Sequence, residues 1–388
     1  MISSNTRLRF VTALVSSLIF LVLISLPLAA KLTGLASTVE VSEIGGKTLP
    51  EFTLHPVGFG RYFDVLRSGY LETHYPFRSI LISWYNYATT RFIASSSVFS
   101  ASVITGKDGW MYLAKDGSRD VLMEHRSATP LTEPELQALR DDYQARADWL
   151  AQRGKHYMLV VAPSKETIYP EYLPEIFKQV GKTSRLDQAL DYLKAHSTLD
   201  VVDLRPVLLD AKKKTQIFYA TDSHWNVRGA FVGYRMMMEE IRKIIPSTPV
   251  LSRKDFNEDS FDEVPGDLSF MLGLQDYVKE TRYYYLSKKP AKARPVTLTD
   301  QNVEFFQPPL CSVIEDSKLP RGIFFHDSFF WELLPFVAES FSEGVYVWMK
   351  PPHDGAPRFF DKALITEVNP DIVVDEITER FFLPRVAQ

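Results

Sequence analysis

Between Arg9 and Lys31 the chain carries 21 residues without a charge, Phe10 to Ala30, most of them apolar. As a helix, such a run spans about 31 Å, against about 30 Å for the hydrocarbon core of a bilayer. It predicts one transmembrane helix over residues 10–30. Arg7 and Arg9 precede the run and the first acidic residue is Glu40, so the positive-inside rule leaves the short N-terminus cytoplasmic and exports the body as a type II signal anchor. A cleaved signal peptide is the rival reading, because Ala29 and Ala30 resemble a cleavage site. The apolar run, however, exceeds the usual 7 to 15 residues of such a segment. Residues 31–60 hold Gly34, Gly45, Gly46, Pro50 and Pro56 with few periodic apolar positions and read as a stalk. The expected organisation is an anchor over 1–35, a linker over 36–69 and one domain over 70–388.

Within the domain the apolar period alternates between helix and strand. Tyr70 to Phe92, with Ile80, Ile82, Tyr85, Tyr87 and Phe92 after Pro76, predicts a helix packed on the main domain. Val103–Thr105 and Trp110–Leu113 flank Gly-Lys-Asp-Gly at 106–109, a hairpin signal. Helices are expected over 136–153, 186–196 and 227–245, the last ending before Pro246, with strands at 156–162 and 201–204. Residues 250–320 break the rhythm with several prolines and a basic run near Lys288 to Arg294, and read as an irregular insertion. The rhythm resumes with strands at 322–325, 344–349 and 371–374 and a helix at 329–341. This predicts an α/β fold with a mainly parallel sheet covered on both faces. No internal repeat is visible.

Composition removes several classes. The 44 basic and 48 acidic residues give a formal charge of −4, which offers no field for a nucleic-acid backbone. A single cysteine, Cys311, excludes an intrachain disulfide framework and any paired-cysteine metal knuckle.

Two segments at strand exits carry candidate chemistry, where open α/β sheets place their ligands. In Thr221–Asn226 (TDSHWN), Asp222 is two residues from His224. A carboxylate there can orient one ring nitrogen and leave the other to accept a proton. Alternatively Asp222 caps the following helix and His224 is an ordinary loop residue. In Phe324–Phe330 (FFHDSFF), an apolar strand runs into Ser328 at a helix start, where free backbone N–H groups stabilise an oxyanion. The other reading makes Ser328 or Asp327 an N-cap. Together the segments supply a nucleophile, a base and an orienting group in the order Asp222, His224, Ser328. Metal binding by Asp222, His224, His326 and Asp327 competes, but no HExxH-type spacing is present, and no GxGxxG or P-loop supports a nucleotide. Neither a metal nor a cofactor is expected. Trp110, Tyr169, Tyr172, Trp225 and Trp348 read either as a platform for sugar rings or as packing. Lys165 and Glu166 follow a strand directly and read as groups near the ligand edge or as a surface turn. Trp225, Lys165 and Tyr169 are the candidate substrate contacts.

Five ordered segments, GKDGWMYL (106–113), APSKETIYPEYLP (162–174), TDSHWNVRGA (221–230), GDLSFMLGL (266–274) and HDSFFWELLPFVAESF (326–341), are similar to the alginate O-acetyltransferase family of the AlgJ and AlgX type. The resemblance runs over roughly residues 70–388. It implies an SGNH hydrolase-like three-layer sandwich in which Ser328 accepts an acetyl group, His224 is the general base and Asp222 orients it. The acetyl group then passes to a hydroxyl of an exopolysaccharide. Relatives often carry Gly before the Asp-Ser pair, where this chain has His326. The resemblance further implies a periplasmic catalytic domain held at the inner membrane, closer to the anchored AlgJ kind, with a membrane-bound O-acyltransferase as acetyl supplier. An acetylesterase of the same fold and a non-catalytic glycan-binding scaffold of a secretion complex remain the alternatives.

Overall fold

The run His156–Ala162 is apolar from Tyr157 onward, and a stretch this short without polar alternation reads as a strand buried on both faces. The computed structural model places it near the middle of a sheet. The structure describes residues 78–92, 102–296, 309–316, 318–349 and 360–384, with isolated helical positions between 15 and 25. Among the described residues no helix is long and apolar enough to cross a membrane. The run at 10–30 lies largely outside them, as does the expected linker.

The chain divides into two compact units. The first includes the helix Arg78–Phe92 and residues Met271–Leu274. Within it, Asn86 Nδ2 donates to the Leu272 carbonyl at 2.8 Å. The second holds thirteen strands among the described residues: β1 (Val103–Thr105), β2 (Met111–Leu113), β3 (Lys115–Asp116), β4 (Arg119–Asp120), β5 (His156–Ala162), β6 (Val201–Asp203), β7 (Phe256–Val264), β8 (Glu280–Ser287), β9 (Arg294–Val296), β10 (Leu310–Val313), β11 (Arg321–His326), β12 (Glu343–Trp348) and β13 (Ile372–Thr378). Seven form one sheet in the order β6-β5-β13-β11-β12-β10-β9. The pairs from β6 to β12 are parallel, and β10 joins antiparallel to β12, with β9 antiparallel beyond it.

Alternate residues of the central strands face different cores. Met158, Val160, Phe324 and Val374 meet the helix Val227–Ile244 through Phe231, Tyr234 and Met238. Tyr157, Leu159, Ile323, Phe325 and Val373 face the helices Glu133–Ala151, Arg185–His196 and Lys362–Val368. Helices on both faces make the three-layer sandwich that the parallel strands require.

The structure departs from expectation in two stretches. The region 250–320 is not irregular throughout: β7 and β8 form an antiparallel hairpin with a register shift between Phe261 and Val264. The solvent-facing Asn-Glu-Asp-Ser of β7 gave no apolar alternation to read. Strand β9 holds Pro295, which a sheet edge tolerates because no donor is required there. Residues 329–341 are not one helix but a 3₁₀ turn Ser328–Glu332, a helical turn Leu334–Val337 and a second 3₁₀ turn Ala338–Ser340. Pro335 lacks the N–H that a continuous helix needs at that position.

One buried ion pair joins the layers. Arg146 Nη1 lies 2.8 Å from Asp375 Oδ2, both residues being buried, and the Tyr157 hydroxyl donates to the same oxygen. Removing the cation strands a carboxylate in the interior, which costs about 3–5 kcal/mol. Arg146→Ala is therefore expected to lower the urea midpoint by that much stability. A loss under about 1 kcal/mol would show that the pair does not hold the layers.

Candidate active site

The loop between the helix Arg205–Lys212 and the helix Val227–Ile244 has almost no regular structure, only an isolated bridge from Phe218 to Trp225. Its backbone groups therefore need other partners. Three buried or half-buried charged side chains supply them. Lys165 Nζ donates to the carbonyls of Ala220 (2.7 Å) and Asp222 (2.9 Å). Glu280 accepts from the amides of Ala220 (2.7 Å) and Thr221 (2.8 Å). Asp267 accepts from the amide and the hydroxyl of Ser223. Asn226 closes the loop as N-cap of the long helix, accepting from Arg228 N and Gly229 N.

Held in this way, the loop presents its imidazole to the serine. Asp222 Oδ1 lies 2.8 Å from His224 Nδ1 and accepts the His224 amide at 3.0 Å. His224 Nε2 lies 2.9 Å from Ser328 Oγ, 104 residues away in the chain. With the Nδ1 proton directed at Asp222, Nε2 is free to accept from the serine hydroxyl. Asp222 is buried, whereas His224 and Ser328 are partly exposed, so the reacting end of the chain faces solvent. The carboxylate's other oxygen accepts from Arg282 Nη2 and from the Asp267 amide. Burial alone would raise the Asp222 carboxyl, but the hydrogen bonds and charges of His224 and Arg282 bring it far below the usual range. Asp267 shifts the other way, raised by burial and by the charge of Asp222. Glu332, close enough to feel His224 and Arg282, is raised by burial.

Ser328 sits at the exit of β11, in the first position of the 3₁₀ turn. Asp327 caps that turn through Phe329 N at 2.9 Å, and its other oxygen accepts from Thr378 N (2.7 Å) and Thr378 Oγ1 (2.6 Å) at the end of β13. Asp327 is thus structural, and the Phe329 amide is taken by its cap rather than left for an oxyanion. His326 is fully buried. Its Nδ1 donates to the Asp327 carbonyl at 2.8 Å, and its ring stacks on Phe330. Burial brings it down to about 4, so it is neutral near pH 7 and fills the space with an aromatic ring.

The three expected substrate contacts lie in the interior instead. Trp225 is fully buried and its Nε1 donates to the Phe329 carbonyl at 3.0 Å, tying the histidine loop to the Ser328 turn. Lys165 is buried beneath the same loop, with Trp110 and Tyr112 rings against its ammonium. The buried Tyr169 accepts the Ile217 amide on its hydroxyl. Lys165 and Tyr169 meet the backbone of this loop with their polar tips, and Trp225 meets that of the Ser328 turn, a role indistinguishable in sequence from a binding surface. Trp331 and Trp348, edge to face with ring centroids 5.4 Å apart, are the partly exposed aromatic pair at the exits of β11 and β12. The residues that sequence reasoning missed are Asp267, Glu280 and Arg282. Asp267 stood inside a family segment, but Glu280 and Arg282 lie on β8, where no local pattern marks them.

Asp222, His224 and Asp267 bring ligand-type atoms within 4.8 Å of one another. The Arg282 guanidinium already meets the Asp222 carboxylate there, and His224 Nδ1 is engaged with the same group. A cation in the cluster would compete with both.

Two outcomes follow from the clamps. A Cβ on Gly266 would lie 2.2 Å from the Thr221 carbonyl oxygen and 2.6 Å from the Asp222 amide nitrogen. Backbone cannot yield cheaply, so Gly266→Ala is expected to cost about 1–3 kcal/mol and to displace Asp222. Unchanged thermal stability would contradict it. Burial also lowers Lys165 to about 8, below its unfolded value of about 10.4. Between those pH values the unfolded chain binds more protons at this site, so the stability it contributes rises with pH. Relative to Lys165→Met, the wild type should gain stability on the order of 1–2 kcal/mol from pH 8 to 10 in chemical denaturation. A flat difference would oppose this.

Comparison with known proteins follows the same outline. The family model described as SGNH hydrolase-like domain, acetyltransferase AlgX, matches residues 103–307. A Pseudomonas syringae protein named "Probable alginate O-acetylase AlgJ" is 28% identical over 144 residues, 37% of this chain and 34% of the relative. The alignment thus spans about a third of that relative's length. Among solved structures, Bacillus cereus PatB1 superposes with a TM-score of 0.53 at 15% identity, covering 74% of this chain and 98% of that one. A DHHW family protein from Eubacterium siraeum gives 0.51 at 16%, covering 75% and 95%. At these identities the structures speak for the fold. With the family model covering over half of its length, the chain belongs to the family of SGNH hydrolase-like acetyltransferase domains of the AlgX type.

Proposed function

We propose that this protein is a serine-dependent O-acetyltransferase that moves acetyl groups onto hydroxyls of an exopolysaccharide of the alginate type. The observation that carries this reading is the hydrogen-bonded chain from Ser328 Oγ through His224 to Asp222. In the first half-reaction Ser328 Oγ attacks the carbonyl carbon of an acetyl donor and its proton passes to His224 Nε2. Asp222 holds the imidazolium through Nδ1–H, and the leaving group departs with the proton from Nε2. In the second, a sugar hydroxyl gives its proton to Nε2 and attacks the acetyl-serine. The ester forms on the sugar, and Ser328 recovers its proton. No cofactor enters either step.

The apolar run at 10–30 supports an inner-membrane anchor with the catalytic unit in the periplasm, and the family resemblance alone suggests a membrane-bound O-acyltransferase as the acetyl supplier. The names of the curated relatives support alginate as the polymer class. Trp331 and Trp348 offer rings on which a sugar can stack.

Incubating the full-length chain with an activated acetyl ester should add one acetyl mass, absent in Ser328→Ala and lost at least a hundredfold in rate in His224→Ala. Labelling that survives Ser328→Ala would refute the acyl-enzyme. With oligosaccharide present, acetylated sugar should accumulate, whereas release of free acetate alone would identify an esterase.

A further inference from the structure

Among the described groups facing the Asp222–His224 pair, the cation that reaches the carboxylate itself is Arg282. From the long loop come Tyr219 and the pair's own backbone. Lys165 contacts the carbonyls of Ala220 and Asp222, and Glu280 holds the amides of Ala220 and Thr221. Asp267 binds Ser223 and lies 3.6 Å from His224 Nδ1. Glu332 approaches from the nucleophile turn. Arg282, from β8 of the hairpin inserted between the two catalytic segments, places Nη2 on Asp222 Oδ2, the oxygen that His224 does not use. Its guanidinium lies over the Tyr219 ring, 4.6 Å from the centroid.

We infer that Arg282 is a positioning residue for catalysis, a fourth member that fixes the rotation of Asp222 and keeps it ionised among three neighbouring carboxyl groups. The inference rests on the acyl-enzyme reading above. Without the guanidinium, Oδ2 would keep only the long 3.3 Å bond from the Asp267 amide, a weak hold against rotation about Cβ–Cγ, and the Asp267 carboxyl beside it favours a shared proton. The guanidinium opposes both: it adds a charged donor to Oδ2, leaving Oδ1 for the His224 amide and Nδ1–H, and its charge opposes protonation of the pair. The β7–β8 hairpin then delivers a part of the active site, so its sequence is constrained at Arg282 although most of β7 faces solvent.

The test compares full-length wild type, Arg282→Gln and Arg282→Lys in the acetyl-ester assay, with Ser328→Ala as control. Arg282→Gln should lower kcat about tenfold to a hundredfold with KM within twofold, the size of effect a misplaced catalytic group has. Without the guanidinium the Asp222–His224 pair takes up a proton more readily, so the acid limb of kcat should move upward by roughly half a pH unit or more. Arg282→Lys, which keeps the charge, should leave the limb in place. A purely structural role would reduce the folded fraction without moving the limb. An unmoved limb in Arg282→Gln, with Ser328→Ala inactive, overturns this inference and leaves the acyl-enzyme standing. Acylation that persists in Ser328→Ala overturns the underlying reading. If Arg282→Gln does not fold, Arg282→Lys decides: a limb displaced like that expected for the glutamine variant overturns the charge argument, and an unmoved limb supports it.

Discussion

Everything at this site depends on holding an irregular loop still. Residues 219–226 have neither helix nor ladder to fix them, yet His224 must stay within hydrogen-bond distance of a serine from another part of the chain. The backbone of the loop is anchored by charged side chains, Lys165 on two carbonyls and Glu280 on two amides. Burying a charge without partners is prohibitive, so each of these groups is as dependent on the loop as the loop is on it. That mutual dependence makes one arrangement much lower in energy than its neighbours, which is the preorganisation a nucleophile and base require.

The parallel sheet determines where the arrangement can form. Strands β5, β13 and β11 end side by side, so Lys165, Glu379 and Ser328 leave the same edge of the sheet. Asp327 bridges the last two exits by capping the Ser328 turn while accepting from Thr378. Trp225 completes the connection from the opposite side, its indole N–H reaching the Phe329 carbonyl. The serine turn is thus supported from two directions. The His326 ring lies against Phe330 and Trp331 and adds to the packing behind the turn.

Charge is distributed unevenly around the pair. Asp222, Asp267, Glu280 and Glu332 crowd one region, and Arg282 and Lys165 answer them from different elements. Burial raises Asp267 and Glu332, whereas His224 first and then Arg282 keep Asp222 low. Two carboxyl groups separated by one serine residue's hydrogen bonds therefore have opposite tendencies toward a proton.

The sequence by itself determined the alternation of β5, β6, β11 and β12 with their helices, because a buried parallel strand must be apolar throughout and a covering helix must repeat its apolar face every 3.6 residues. It also marked Asp222, His224 and Ser328, since the residue types and their places at strand exits are local facts. It left Trp225, Lys165 and Tyr169 open between substrate contact and packing, where the structure buries all three, and it left Arg282, Glu280 and the β7–β8 hairpin unmarked. Whether an aromatic or a lysine faces solvent or a loop backbone depends on what lies across from it. Those opposing groups come from positions tens to more than a hundred residues distant, and only the folded chain brings them within the few ångströms over which a hydrogen bond acts.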